Sequence, residues 1–148
     1  MSNNMCFALD LAKKSSDDIP VGALILKDGK IIASACNEKE LRKDVTCHAE
    51  IIAIRQAQQA LNSWRLDGCD MYVTLEPCPM CAWAIISSRI SRVYFGAYDT
   101  IYGALGSVID LRELSNSKLS VYGGIMEEEC KNLLDEYFEK MRRKDVRK

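Results

Sequence analysis

The chain has 148 residues, of which 48% are hydrophobic and 28% charged, and only 3 are prolines. This composition excludes a disordered or low-complexity chain, and it predicts a single globular domain over residues 1–148 with a substantial core. The formal net charge of −1 favours neither nucleic acid nor any other class of partner.

Three features of the sequence bear on where the protein works. The N-terminal segment lacks the basic and apolar regions of a secretory signal. The longest apolar runs, such as 21–26 and 82–86, are far shorter than the roughly 18 residues of a membrane span. Seven cysteines, an odd number without a tight framework, are typical of a reducing compartment. We therefore expect a cytoplasmic protein that is not embedded in a membrane.

The N-terminal part of the chain predicts a helix followed by a β-hairpin. Apolar residues recur at helical spacing between Met5 and Ala12, and a cluster of Ser and Asp residues then ends the helix. The β-rich runs 21–27 and 30–36 are joined by Asp28-Gly29, a dipeptide typical of tight hairpin turns. The first two strands should therefore be antiparallel, and the polar segment 37–47 should be a loop.

From His48 onwards, the chain alternates helices with strands. The predicted elements are a helix opening at His48, a strand at 71–75, a helix at 80–88, strands at 92–96 and 118–122, and a helix at 127–143. Such alternation predicts an α/β fold, a three-layer α/β/α sandwich with helices on both faces of a five-stranded, mixed and mostly parallel sheet. Ligand sites in such folds lie where strand ends meet helix N-termini.

Two motifs at predicted helix starts carry metal-binding residues. His48, the only histidine, opens one helix, while Cys78 and Cys81 lie at the start of another, within Pro77-Cys78-Pro79-Met80-Cys81. Three residues apart in a first helical turn, both sulfurs project to one side. One imidazole and two thiolates are ligands that zinc prefers, and they leave a fourth position open, as in catalytic sites. The sequence therefore predicts one catalytic Zn²⁺ per subunit.

Glu50, two residues after the candidate ligand His48, is the candidate catalytic residue. A carboxylate there is poorly placed as a ligand but can act as acid and base beside the open coordination position. The combined H-x-E and P-C-x-x-C pattern is already known from zinc-dependent nucleobase deaminases, so this assignment is a match to a known motif. The alternatives are no metal at all, or a closed structural site that takes a fourth ligand from Cys36 or Cys69. Cys47 adjoins His48, and neighbouring side chains at a helix start diverge by about 100 degrees, so the two cannot easily reach one metal together.

Basic residues concentrate at the end of the chain. Residues 139–148 hold six Lys and Arg side chains against two carboxylates, a local charge of +4. This segment is either a solvated helix end or a surface that contacts phosphates. Trp64, Tyr137 and Phe138 are compatible with base stacking, but we expect them to pack in the core.

Five stretches of the sequence match a known family. They are His48-Ala49-Glu50-Ile51, Trp64-Arg65-Leu66, the run from Tyr72 to Cys81, Gly96-Ala97-Tyr98-Asp99 and Gly103-Ala104-Leu105-Gly106-Ser107. Through them, and from Asp18 to Cys130 as a whole, the chain resembles the bacterial tRNA-specific adenosine deaminases of the cytidine-deaminase superfamily. The resemblance implies a cytidine-deaminase-like fold, a homodimer, and hydrolytic deamination of adenosine to inosine at the wobble position of a tRNA anticodon stem-loop.

The resemblance also implies roles for individual residues. The adenosine would flip into the zinc pocket, where Glu50 takes a proton from the attacking water and delivers it to N1 and the leaving amine. Asn37 would bond the purine, Asp99 would lie beside the ribose hydroxyl, and Ala49 N–H would hold the oxygen of the tetrahedral intermediate. The residues lining the base would be Val21, Leu75 and Pro77.

Each of these binding roles has a structural alternative. Asn37 is also a common turn residue, Asp99 could cap local backbone N–H groups, and Val21 and Leu75 are ordinary core residues. Two other functions are open as well. One is a deaminase of a free base or nucleoside such as guanine, cytosine or cytidine, because the same fold and zinc site serve both substrates. The other is a zinc-holding binding or structural protein without turnover, against which the intact Glu50 argues.

Overall fold

The computed structural model describes residues 1–146, in which there are six helices and five strands. In chain order they are α1 (Ser2–Ala12), β1 (Gly22–Lys27), β2 (Lys30–Cys36), α2 (Lys39–Arg42), α3 (Ala49–Leu61), β3 (Cys69–Leu75), α4 (Pro79–Ser87), β4 (Arg92–Ala97), α5 (Leu111–Ser115), β5 (Ser120–Tyr122) and α6 (Glu127–Val146). All predicted elements are present, and α2 and α5 are additional. Arg147 and Lys148, the end of the predicted basic tail, lie outside the described residues.

The five strands form one sheet in the order β2-β1-β3-β4-β5. Strand β1 is antiparallel to both of its neighbours, whereas the β3–β4 and β4–β5 pairs are parallel. The mixed sheet is therefore confirmed. The expectation of a mostly parallel sheet is wrong, because the N-terminal hairpin joins the sheet through β1 and so contributes two antiparallel pairings.

The hairpin turn between β1 and β2 follows the prediction. Asp28 and Gly29 have φ values of 51° and 77°. Two successive residues with positive φ are typical of a type I′ turn, whose twist matches that of the flanking strands. Aspartate followed by glycine tolerates this conformation better than most residue pairs do, which explains the strength of the sequence signal.

Two hydrophobic cores lie on opposite faces of the sheet. Because successive strand residues point to opposite faces, Ala23 and Ile25 of β1 pack with α3 and α4, while Leu24 and Leu26 pack with α1 and α6. The predicted three-layer α/β/α sandwich is confirmed. Within residues 1–146, no helix is both long enough and apolar enough to cross a bilayer.

Two of the three aromatic residues that we expected to pack in the core are exposed. Trp64 and Phe138 are 57% and 43% exposed, so the expectation of core packing is wrong for both. Tyr137 is half-buried, and its hydroxyl donates a hydrogen bond to the carbonyl oxygen of Asp17 at 3.0 Å. Trp64 lies in a loop, whereas Tyr137 and Phe138 lie in α6. In a helix such as α6, helical spacing alone does not distinguish a buried face from an exposed one.

One edge of the sheet gathers the ends of three strands. Because β1 runs antiparallel to β2 and β3, its first residue Gly22 pairs with Cys36 at the end of β2, and Gly22 N–H donates to Thr74 Oγ1 near the end of β3 at 3.2 Å. Helix α4 begins directly after β3, and α3 begins after the loop that follows β2. The two predicted metal-binding motifs therefore meet at this edge.

Candidate active site

The three candidate zinc ligands sit at the N-termini of two helices. His48 is the residue before α3 and Cys78 the residue before α4, and both have extended backbone conformations, with ψ of 152° and 172°. Pro79 begins α4 one residue earlier than predicted, since proline presets the helical φ and has no N–H to satisfy at that position. Cys81 follows in the first turn of the helix and is fully buried.

The positions of the three ligand atoms fit one zinc ion. His48 Nδ1 lies 3.7 Å from Cys78 Sγ and 3.5 Å from Cys81 Sγ, and all three atoms lie within 4.8 Å of one another. In a tetrahedral site with ordinary zinc–nitrogen and zinc–sulfur bonds, adjacent nitrogen and sulfur ligands are about 3.6 Å apart. Among residues 1–146, no fourth His, Cys, Asp or Glu joins the cluster, so Cys36, Cys47 and Cys69 do not close the site.

The two thiols of the cluster differ in acidity without a metal. A hydrogen bond from Cys81 and the contact with His48 lower the pKa of Cys78 to about 4. The pKa of Cys81 is raised, because Cys81 donates that hydrogen bond and is buried. Contact with the Cys78 thiolate raises the pKa of His48. The metal-free pair is therefore one thiolate and one thiol, and binding of a metal displaces the remaining proton.

Glu50 lies beside the ligands in the first turn of α3. Its side chain is only 4% exposed, and burial raises the pKa of this carboxyl to about 7. A divalent cation held by His48, Cys78 and Cys81 would favour the charged form again. The charged carboxylate beside the open coordination position can accept a proton and then return it, which is what a general acid and base requires.

A cavity of about 960 Å³ opens beside the ligand cluster. His48, Glu50 and Cys78 lie on its wall. Of the residues predicted to bind substrate, those on the wall are Val21, Asn37, Leu75 and Asp99. Ala49 and Pro77 are buried behind it. The cavity falls in the size range of sites that enclose small organic ligands.

Residues 2–97 match the family described as the cytidine and deoxycytidylate deaminase zinc-binding region. The chain belongs to this deaminase family. It is 42% identical to a tRNA-specific adenosine deaminase of Bacillus subtilis over 141 residues, which cover 93% of this chain and 88% of that protein. The resemblance inferred from the motifs is therefore confirmed, and the five-stranded architecture is that of the family.

Two solved structures are similar to this deaminase. One comes from work on A-to-I editing by tRNA:A34 deaminases at the wobble position of transfer RNA; it has a TM-score of 0.84 and 41% identity, covering 90% of this chain and 99% of that one. The other is a guanine deaminase from Bacillus subtilis, with a TM-score of 0.62 and 32% identity, covering 77% of this chain and 88% of that one.

The side chain of Asn37 joins two segments of the deaminase site. Its Nδ2 donates to Ile19 O at 2.9 Å, and its Oδ1 accepts from Ala49 N at 2.8 Å. Ala49 N–H, predicted to hold the tetrahedral oxygen, is therefore already used by Asn37 in this arrangement. Asn37 lines the cavity, and its amide keeps one hydrogen and one lone pair that these two bonds do not use.

Asp99 both lines the cavity and shapes its own loop. Its Oδ1 accepts from Ile101 N at 3.0 Å and from Tyr102 N at 2.9 Å, which is the capping role weighed as its alternative. The two roles are compatible, because a carboxylate has a second oxygen and several lone-pair sites. Tyr102, which was not singled out from the sequence, is 64% exposed and lines the cavity next to Asp99.

Another part of the cavity wall contains Asp18, for which the sequence pattern predicted no role. Both carboxylate oxygens of Asp18 lie 3.1 Å from Glu40 N in α2, so this buried aspartate fixes a helix of one turn. Tyr137 of α6 bonds the neighbouring carbonyl of Asp17. No sequence signal could have paired these residues, because the three segments are far apart along the chain.

The thiol and imidazole protonation states predict how zinc affinity depends on pH. Below the raised pKa of His48, zinc displaces a proton from His48 as well as the one on Cys81. Affinity should therefore rise with pH, by about tenfold per pH unit above the raised pKa of His48 and by about a hundredfold per unit below it. Competition with a chromophoric chelator of known protonation constants measures this slope. A flat profile would contradict the assigned ligands.

Proposed function

We propose that this protein is a zinc-dependent tRNA adenosine deaminase that converts adenosine to inosine at the wobble position of an anticodon. The observation that carries the proposal is the buried Glu50 beside the His48, Cys78 and Cys81 cluster, at the base of a cavity in the size range of sites that enclose small organic ligands. The identity of more than 40% to tRNA-specific adenosine deaminases favours a tRNA substrate over other nucleobase substrates.

Deamination requires a group that accepts a proton and then donates it, and Glu50 is the residue placed to do both. When bound, zinc provides a Lewis acid that lowers the pKa of a coordinated water toward about 7. The Glu50 carboxylate accepts a proton from the attacking water and returns it to N1 of the purine. The oxygen of that water bonds to C6, and the proton of the resulting C6 hydroxyl passes through Glu50 to the amino group, which leaves as ammonia, so that inosine remains. Burial of Glu50 keeps bulk water from competing for these protons.

The cavity wall offers complementary contacts to a flipped adenosine. Val21 and Leu75 present apolar surface for the base, and the free amide hydrogen and lone pair of Asn37 suit the purine edge. The second oxygen of Asp99 can accept a hydrogen bond from a ribose hydroxyl, a group that distinguishes RNA from DNA. Pro77 and Ala49 are fully buried and adjoin the wall residues Cys78 and Glu50 along the chain.

Basic side chains lie in a groove next to the cavity. Asp17, Asp18, Tyr137 and Met141 line both the cavity and this second groove of about 620 Å³. Its basic residues are Lys13, Lys140, Arg143 and Lys144, and its acidic residues, equal in number, are Asp17, Asp18, Glu136 and Glu139, so the groove as a whole has no net charge. Lysine and arginine side chains beside a base pocket can bind the phosphates that flank a flipped nucleotide, which suits an anticodon stem-loop.

The proposal also includes the oligomeric state of the protein, the number of zinc ions per subunit and the cellular location. We take the chain as one deaminase domain over residues 1–148, with one zinc ion per subunit and a cytoplasmic location. Several large apolar side chains are exposed around α4 and α5, namely Trp83, Ile101, Val108, Ile109 and Leu114. Exposed apolar surface of this kind favours association, and we propose a homodimer.

The test is deamination of a defined RNA. Zinc-loaded protein is incubated with an anticodon stem-loop that carries adenosine at the wobble position, and inosine is measured after nuclease digestion. The matched control is the same stem-loop with that adenosine moved by one nucleotide. We expect inosine only from the first RNA, and loss of activity with rising salt because phosphate contacts release counterions.

A second candidate, a guanine or nucleoside deaminase, is favoured by the 32% identity to a guanine deaminase. Free guanine, adenosine, cytosine and cytidine are therefore assayed in parallel for ammonia release. Ammonia from one of them, without inosine in the stem-loop, would replace the proposed substrate. Bound zinc with no product from any substrate would instead favour a non-catalytic protein.

A further inference from the structure

Glu76 is a buried carboxylate that the catalytic scheme does not use. It directly follows β3 and is only 2% exposed. Its Oε1 accepts from Asp99 N at 3.1 Å and from the hydroxyl of Ser107, and its Oε2 accepts from Leu105 N at 3.2 Å and Ser107 N at 3.1 Å. All four hydrogen bonds come from one segment, residues 99–107, which we call the rim loop.

The free-energy cost of burying the Glu76 carboxylate is offset by hydrogen bonds from the rim loop alone. A desolvated carboxylate is costly unless hydrogen bonds or a cation compensate it. Its partners in the structure are three backbone N–H groups and one hydroxyl, and among residues 1–146 no ion pair with Glu76 is formed. The loop conformation and the carboxylate therefore depend on each other.

The rim loop packs too closely around Glu76 to move independently of it. A Cβ atom at Gly103 would lie 2.6 Å from the Glu76 carboxyl group and 2.4 Å from Asp99 O. Gly103 N also donates to Asp99 O at 3.0 Å, and Ala104 N donates to Pro77 O at 3.0 Å. The loop is thereby closed on itself and fastened to the segment that leads into α4.

The rim loop presents two residues to the substrate cavity. Asp99 and Tyr102 both line it, and the backbone N–H of Asp99 donates one of the four hydrogen bonds that Glu76 accepts. Glu76 also lies two residues before Cys78, a candidate zinc ligand. One short segment, 76–78, therefore carries both a metal ligand and the anchor of the substrate-facing loop.

We propose that Glu76 is a positioning residue, which holds the rim loop so that Asp99 and Tyr102 face the nucleotide at a fixed distance from the zinc ligands. This inference rests on the proposed function, since it concerns binding of the RNA substrate. Glu76 itself lies on the cavity wall, but all four hydrogen bonds to its carboxylate come from the rim loop, and it is outside the group of metal-ligand atoms. It acts on substrate affinity through Asp99, while proton transfer by Glu50 proceeds without it.

The test compares Glu76→Gln with wild type in stem-loop deamination. Glutamine retains one acceptor oxygen and presents an NH₂ group to N–H donors, so the loop is released on one side. We expect KM to rise by about tenfold, with kcat per bound zinc changed by less than about threefold. Glu128→Gln, the same change at an exposed carboxylate of α6, should leave both constants unchanged.

A double-mutant cycle separates positioning from general stability. Because Glu76 acts through Asp99, Glu76→Gln combined with Asp99→Asn should lose no more than the larger of the two single losses. If Glu76 were merely structural, the losses would multiply, and kcat per total protein would fall with KM unchanged. Either result would overturn the proposal.

The variant Ser107→Ala provides the test if Glu76→Gln does not fold. It removes one of the four hydrogen bonds and leaves the backbone donors paired, so we expect KM to rise by about threefold, again without adding to Asp99→Asn. An unchanged KM in the folded variants would refute the positioning role. Failure of the wild-type protein to form inosine is a separate result, and it would count against the proposed function.

Discussion

Replacing Glu50 with glutamine should lower the rate of adenosine deamination by about 10³- to 10⁴-fold while the protein keeps its zinc. The amide has nearly the same shape as the carboxyl group, but it can neither accept the proton of the attacking water nor return it to the purine. Glu50 lies outside the group of ligand atoms formed by His48, Cys78 and Cys81, so metal binding should not need it. The measurement is the single-turnover rate of inosine formation, normalised to zinc content.

Two comparisons make the Glu50 result specific. Glu113→Gln, the same chemical change at an exposed carboxylate of α5, should keep the wild-type rate. Glu50→Ala should be as inactive as Glu50→Gln, because both lack the proton acceptor. A Glu50→Gln protein with a rate within tenfold of wild type would remove the catalytic role. A protein that lost its zinc would make Glu50 a ligand instead.

Elements with a repeating pattern could be predicted from the sequence. The β2 prediction of 30–36 agrees with the observed Lys30–Cys36, and the buried face of α3 follows the helical spacing of its isoleucines and alanines. Strand β3 begins at Cys69 rather than Met71. The reason is tertiary, because Asp70 pairs with Arg92 of β4 at 2.8 Å, which makes a polar residue stable within the strand.

The two short helices could not be predicted in the same way. Helix α2 has four residues and α5 has five, so neither completes enough turns to produce a hydrophobic period. Helix α2 depends on the Asp18 carboxylate, which is distant in sequence. Helix α5 is capped by Asp110, which accepts from Arg112 N at 3.1 Å. That aspartate was a local signal that could have been recognised.

The residues of the candidate site also differ in whether a local sequence pattern could predict them. The clustering of His48, Cys78 and Cys81 with Glu50 beside them was predictable because each motif is local and lies at a helix start, where the backbone geometry is nearly fixed by the sequence. The rim loop anchored by Glu76 and the bridge formed by Asn37 were not. Their partners are Ser107 and Ile19, and only the folded sheet edge brings these segments together.

Replacing Cys81 with serine should abolish both zinc binding and turnover. Cys81 is fully buried within the ligand cluster, and a neutral hydroxyl is a far weaker zinc ligand than a thiolate. Zinc at a hundred times its Kd should stabilise the wild-type fold by about 2.7 kcal/mol, whereas the variant should gain nothing from added zinc. Metal analysis after gel filtration and thermal unfolding with and without zinc measure the two effects.

Cys69→Ser is the matched control for this change, because Cys69 is also fully buried but lies outside the ligand cluster. Both variants place a hydroxyl in an apolar site, so both should lose stability in the metal-free state by a similar amount. Only Cys81→Ser should lose zinc and activity. If both variants kept their zinc, Cys81 would not be a ligand. If both lost it, the effect would come from the fold, and the three-ligand site would have to be reassigned.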